Sequence, residues 1–145
     1  CVGQLLERRA DPEKAMNDGA TPLLVAAQNG RDACVGQLLE RRADPEKAMN
    51  DGATPLYIAA QNGRDACVGQ LLERRADPNK ADKGGCTAAI MAGTNGHEAC
   101  LRRLVEQRAN PNSAANDGRT AMSVAAQGGH EACLKLLIEQ RADPA

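Results

Sequence analysis

Apolar positions in this chain fall in short runs at a fixed interval. Leu23 to Ala27 form one run, and Cys34, Val35, Leu38 and Leu39 are spaced to share one face of a helix. Both patterns return 33 residues later, at Leu56 to Ala60 and at Cys67, Val68, Leu71 and Leu72. The polar segments between them return as well. LLERRADP stands at 5–12, 38–45 and 71–78, with LVEQRANP at 104–111 and LIEQRADP at 137–144. Residues 1–33 and 34–66 differ only at Leu24/Tyr57 and Val25/Ile58. Self-similarity at this period marks a repeat array. The units run over 18–50, 51–83, 84–116 and 117–145, after a partial copy at 1–17.

Each piece of a unit has a local reading. Asn17-Asp18-Gly19 is turn chemistry, because an Asx side chain bonds nearby backbone and Gly accepts positive φ. Thr21-Pro22 starts a helix: Thr caps open amides, and Pro is tolerated in the first turn. Asn29-Gly30 stops it. Asp32 places negative charge in the first turn of the next helix, where the dipole favours it. Ala43-Asp44-Pro45 ends that helix and extends the chain toward the next turn. The unit is therefore turn, short helix, short helix, loop. Helices this short do not persist alone in water, so stacked neighbours must bury the apolar stripes.

The stretch DGATPLLVAAQNGRDACVGQLLERRADP resembles the ankyrin repeat, a β-turn followed by two antiparallel helices with T-P-L-H-x-A at the first. The resemblance recurs in every unit and implies an all-α ankyrin-repeat solenoid. Three departures stand out. The motif's His is Leu24, Tyr57, Ile90 and Ser123. Its Pro is Ala88 and Ala121 in the last two units. The Gly that usually follows the second helix is Arg9, Arg42, Arg75, Arg108 and Arg141, which must adopt a left-handed backbone or end the helix differently.

Composition narrows the function. Net charge is −1, which gives no general pull toward nucleic acid or an acidic membrane. No stretch approaches the 18 or so consecutive apolar residues of a membrane span. Phe and Trp are absent and Tyr57 is the only aromatic, so the core is aliphatic and suits thin layers. Cys1, Cys34, Cys67, Cys100 and Cys133 share one repeat position. Stacked helices lie about 8–10 Å apart, beyond the roughly 7 Å between Cα atoms that a disulfide tolerates. These thiols read as small core residues and fit a reducing compartment. Cys86 occupies the turn slot of Ala20, Ala53 and Arg119, and is expected to be exposed. His97 and His130 follow Gly96 and Gly129, where the resemblance implies a role in joining the two helices. The Arg rows at 41, 42, 74, 75 and 108 run beside Glu40, Glu73 and Glu106, which reads as a solvated face. Gly36 and Gly69 fall inside the second helix, where replacement by Ala is expected to raise the melting temperature.

No nucleophile–base pair, isolated carboxylate pair or phosphate loop is present, so the chain reads as non-catalytic and without a cofactor. The resemblance implies a protein-interaction scaffold whose hairpin tips and first helices meet a partner protein. Carried over, the tips are Asn17, Asp18 and Ala20; Met49, Asn50, Asp51 and Ala53; Lys83, Gly84 and Cys86; Asn116, Asp117 and Arg119. The helix side adds Tyr57, Gln28, Asn29, Gln61, Asn62, Thr94, Asn95, Gln127 and Gly128. Expected partners are a protein, with no nucleic acid and no membrane. The chain opens at Cys1, inside a repeat, which reads as an array cut from a longer intracellular, cytoplasmic protein. The alternative is an engineered scaffold with no native partner. Its uncapped ends predict a monomer or weak head-to-tail self-association.

Overall fold

The computed structural model describes residue 11 and residues 13–140. Cys1, Arg9 and Arg141 lie outside the described residues. Eight helices follow one another among those described: α1 (Pro22–Gln28), α2 (Asp32–Glu40), α3 (Pro55–Gln61), α4 (Asp65–Glu73), α5 (Ala88–Asn95), α6 (Glu98–Glu106), α7 (Ala121–Gly128) and α8 (Glu131–Glu139). Odd-numbered helices stack on one another as an inner layer, even-numbered ones as an outer layer, and each pair also packs internally. A hairpin finger precedes each inner helix.

Thr21, Thr54, Thr87 and Thr120 each sit in extended backbone and accept a hydrogen bond from the amide three residues on. This Thr cap holds even where Ala88 and Ala121 replace Pro, so the cap and not the ring sets the helix start. The connection to each outer helix turns at Gly30, Gly63, Gly96 and Gly129, all with φ near +70°. At Gly63 and Gly96 a side chain would also collide with the ring of His97 or His130, 2.7 and 2.5 Å from where Cβ would stand. Glycine is thus required twice over there.

Three outer helices, α2, α4 and α6, end in one geometry. Arg42 donates to Leu39 O and Ala43 to Leu38 O, both at 3.0 Å, and the same pair of bonds recurs at Arg75/Ala76 and Arg108/Ala109. This is the Schellman ending, in which the turning residue must be left-handed. Arg42, Arg75 and Arg108 comply at φ 64°, 66° and 71°. Of the two endings open to an Arg, the strained one is adopted.

The main core lies between the layers. It contains Leu23, Leu38, Leu56, Leu71, Leu101, Leu104 and Leu137 together with Cys67, Cys100 and Cys133. These three thiols are buried and unpaired, as their place on the stripe predicts, while Cys34 is half-buried. Burial pushes the Cys67 and Cys133 thiols up, and Cys100 up to about 12. A second, smaller cluster fills the angle between fingers and inner helices, and it holds the candidate site.

Candidate functional site

Each finger is closed by its own backbone. Met49 donates to Ala53 O and Gly52 to Met49 O, both at 2.9 Å, and the other three fingers repeat this. In fingers one, two and four an Asp holds the turn: Asp18 and Asp51 accept from Ala20 and Ala53 at 3.0 Å, and Asp117 from Arg119 at 3.2 Å. Finger three has Gly84 in that place. Asp82 takes over, accepting from Gly84 at 2.9 Å and Cys86 at 3.0 Å. Sequence reasoning passed over Asp82; the signal was an Asp at the register of Met16 and Met49, just where the usual Asp is missing.

Successive fingers are bonded tip to tip. Asn50 N donates to Asp18 O at 2.9 Å, Lys83 N to Asp51 O at 3.0 Å and Asn116 N to Gly84 O at 2.9 Å. Asn50 and Asn116 add a side-chain bond, each Nδ2 donating at 3.1 Å, to Asn17 O and Lys83 O. Lys83 has no carboxamide for this second bond, so the ladder thins between fingers two and three. The tip asparagines expected to meet a partner are therefore engaged in joining repeats.

Three tip residues expected at the surface are covered. Ala20, Ala53 and Cys86 are 5%, 2% and 6% exposed and point into the second cluster. Cys86 is the correction that matters chemically. Burial and the Asp82 carboxylate raise its pKa, against the opposing Arg119, so it is a shielded thiol and not a reactive one. Tyr57 is buried too, at 9% exposure, and burial followed by the Asp82 carboxylate raises its hydroxyl pKa. Arg119 remains exposed. Its Nε donates to Asp117 Oδ2 at 2.7 Å and its Nη2 toward Cys86 Sγ at 3.5 Å. The backbone and side chain of Arg119 both hold the Asp117 carboxyl below its ordinary value.

On the inner helices the polar side chains divide into two sets. Asn29, Asn62 and Asn95 turn back on their own helices, each Nδ2 donating to the carbonyl four residues earlier at 2.9–3.1 Å. Asn95 also bonds Gln61 O at 3.1 Å, and Thr94 Oγ1 donates to Ile90 O at 2.8 Å. The side chains of Gln28, Gln61 and Gln127 form no hydrogen bond among the described residues. They lie one helical turn beyond Leu24, Tyr57 and Ser123, on the face turned toward the fingers. Val25, Met49 and Met91 line the same angle, half-buried.

His130 adds a contact that was not expected. Its Nε2 donates to Thr94 O at 3.1 Å, and Arg64 Nε at the same register donates to Gln28 O at 3.2 Å. The side chain here ties one repeat to the preceding one, while the backbone joins the two helices of its own: His130 N donates to Ala125 O at 2.9 Å and its carbonyl accepts from Leu134 N at 3.0 Å.

On the outer layer, ion pairs among the described residues are Arg102–Glu98 and Arg103–Asp65 at 3.7 Å, both on solvated side chains. Gly36 and Gly69 leave grooves of about 250 and 340 Å³ between neighbouring outer helices. Gln70 crosses the first to reach Asp32 O at 3.0 Å. No group of three or more His, Cys, Asp or Glu able to hold a metal ion occurs among the described residues. No helix there is long and apolar enough to cross a membrane.

Paired short helices stacked in two layers, with fingers set against the inner one, define a helical repeat solenoid. The profile described as ankyrin repeats (3 copies) matches residues 1–82 and 67–145, and the chain belongs to the ankyrin repeat family. Comparison with the curated proteins finds no match. Ankyrin repeats as a family mediate protein–protein interaction.

Proposed function

We propose that this chain is a non-catalytic array that holds a partner protein in the angle between its fingers and inner helices. The observation that carries the reading is the division of labour at that angle. Asn50 and Asn116 are spent on neighbouring repeats, Asn29, Asn62 and Asn95 on helix ends, while Gln28, Gln61 and Gln127 keep their hydrogen-bonding capacity beside half-buried Val25, Met49 and Met91. Amides free of intramolecular bonds beside apolar surface are what an interface core with a polar rim needs. Lys83 and Arg119 border this angle at the third and fourth tips and complete the contact surface.

Affinity capture tests the reading. Wild-type chain and a convex-face variant, Glu106→Ala, are expected to retain the same partner. Met49→Glu and Arg119→Ala are expected to lose it. Equal recovery by wild type and all three variants would assign binding elsewhere. Taken alone, the 145-residue chain is expected to associate head to tail only weakly. Ser123 and Arg119 stand where Leu24, Tyr57, Ile90 and the small Ala20, Ala53 and Cys86 bury against a following repeat. Sedimentation at rising concentration checks this.

A further inference from the structure

The outer layer holds a groove that the fold itself does not fill. Between α4 and α6 it measures about 340 Å³ and is lined by Gly69, Leu72, Glu73, Arg103, Glu106 and Gln107. Gly69 opens it. A mid-helix Gly weakens a helix, and the outer helices form without one. Arg102 and Lys135 stand at the same register in α6 and α8, which have the same nine-residue length as α4. Where Arg102 replaces the Gly, its side chain lies on this face and pairs with Glu98. The register therefore accepts a guanidinium, supplied from within in α6 and absent in α4.

Charge in the groove is divided by position. Arg103 lies over Gly69 and reaches Asp65 Oδ2 at 3.7 Å, so its charge is answered at the N-terminal end of α4. The other end is anionic. Glu73 and Glu106 close α4 and α6 there, exposed and with no hydrogen bond or ion pair among the described residues. The negative ends of both helix dipoles add to them. Arg74 follows Glu73 but lines the groove on the other side of α4, and Arg75 and Arg108 stand beyond the helix ends, outside the lining. Leu72, half-buried on the main core, supplies an apolar floor. An apolar floor beside two free carboxylates suits arginine. Its carbon stem covers the leucine, and its planar head presents paired N–H groups to carboxylate oxygens. A partner's carboxylate or phosphate would be repelled here.

We propose that the groove between α4 and α6 is a second interaction site, which takes an arginine side chain of a partner protein, with Leu72 under its stem and Glu73 and Glu106 on its guanidinium. The site lies on the outer layer, away from the angle between fingers and inner helices, and stands or falls independently of the function assigned to that angle. The groove between α2 and α4 is the poorer socket, because Arg74 lines it beside Glu40 and Glu73.

Phage-displayed peptides panned on the full chain provide the test, with Gly69→Arg as the counter-target. That substitution gives α4 the residue α6 already carries and fills the groove. Peptides held by wild type and lost by Gly69→Arg are expected to share an arginine. By fluorescence anisotropy of one such peptide, exchanging that arginine for citrulline, which keeps the shape and removes the charge, should weaken binding at least tenfold. Glu73→Gln and Glu106→Gln should each weaken it about tenfold, the worth of a charge-assisted hydrogen bond. Met49→Glu, on the other face, should leave it unchanged. If Gly69→Arg melts below wild type, the two Glu variants decide, since neither side chain holds a contact of the fold. Failure to recover any arginine peptide sensitive to Gly69→Arg, or indifference to citrulline or to both Glu variants, overturns the proposal. A peptide lost with Met49→Glu but kept by Glu106→Gln removes this site and leaves the function of the concave angle standing.

Discussion

Replacing Arg42, Arg75 and Arg108 together by Gly is expected to stabilise the array. Each sits at the left-handed position of a Schellman ending, with φ between 64° and 71°. An L-residue there carries roughly 1–2 kcal/mol of strain that Gly does not. Gly gives back roughly 0.5–1 kcal/mol through the larger entropy of its unfolded chain. The net gain is about 0.7 kcal/mol per site. The sites lie in different repeats, so the effects should add to about 2 kcal/mol. For a chain of this size, that corresponds to about 6 °C in melting temperature, or a urea midpoint higher by about 1 M at an unchanged slope.

The competing explanation is charge. Arg41 and Arg42, or Arg74 and Arg75, repel one another, and removing one of each pair would stabilise for that reason alone. Substitution by Ala separates the two. Ala removes the charge and keeps the strain, so the triple Ala variant should gain little. Urea titration followed by circular dichroism reads all three proteins. If the Gly variant does not exceed wild type, or if Ala equals Gly, backbone strain is not what these arginines cost the fold.

Three further outcomes follow from the same geometry. Gly36→Ala should raise stability by about 1 kcal/mol, since the added methyl meets only the flexible end of Gln70 at 3.2 Å. Gly69→Ala should gain less, because the methyl would stand 2.6 Å from Arg103 Nη1 and displace the contact with Asp65; equal midpoints in urea would contradict this. Lys83→Asn should restore the second bond between fingers two and three, its Nδ2 donating to Asn50 O, and add about 1 kcal/mol, whereas Lys83→Leu, with no such donor, should not. Stability should fall with alkali. Buried Cys100 holds its proton up to about 12 from an ordinary 9.0, so its contribution is complete below pH 9 and is lost as pH rises through 12. Urea midpoints at pH 8 and 10.5 should diverge in wild type and less so in Cys100→Ala.

Most local events were legible because each depends on residues within four or five positions. Thr21 caps, Gly30 turns and Asp32 meets a dipole whatever the neighbouring repeat does. Depth and partnership were not legible on those terms. The period places Ala20, Ala53 and Cys86 in one slot but does not say on which side of the finger that slot lies, and the presence of Arg119 in it pointed outward. Once stacked, the slot faces the inner helices, and Arg119 is accommodated by bending back to Asp117.

The amides show the same limit more sharply. Asn29, Asn50, Gln61 and Asn116 look alike in sequence as polar residues near turns. Their separation is geometric. An Asn at a helix end is short enough to reach its own last turn, and an Asn at a fingertip lies one bond length from the neighbouring finger's carbonyl. Gln28, Gln61 and Gln127 are a methylene longer, and no side-chain bond of theirs is formed among the described residues. The amides that assembly did not use are the ones the proposed function assigns to recognition, and they stand out only after every bond that holds the solenoid together has been assigned.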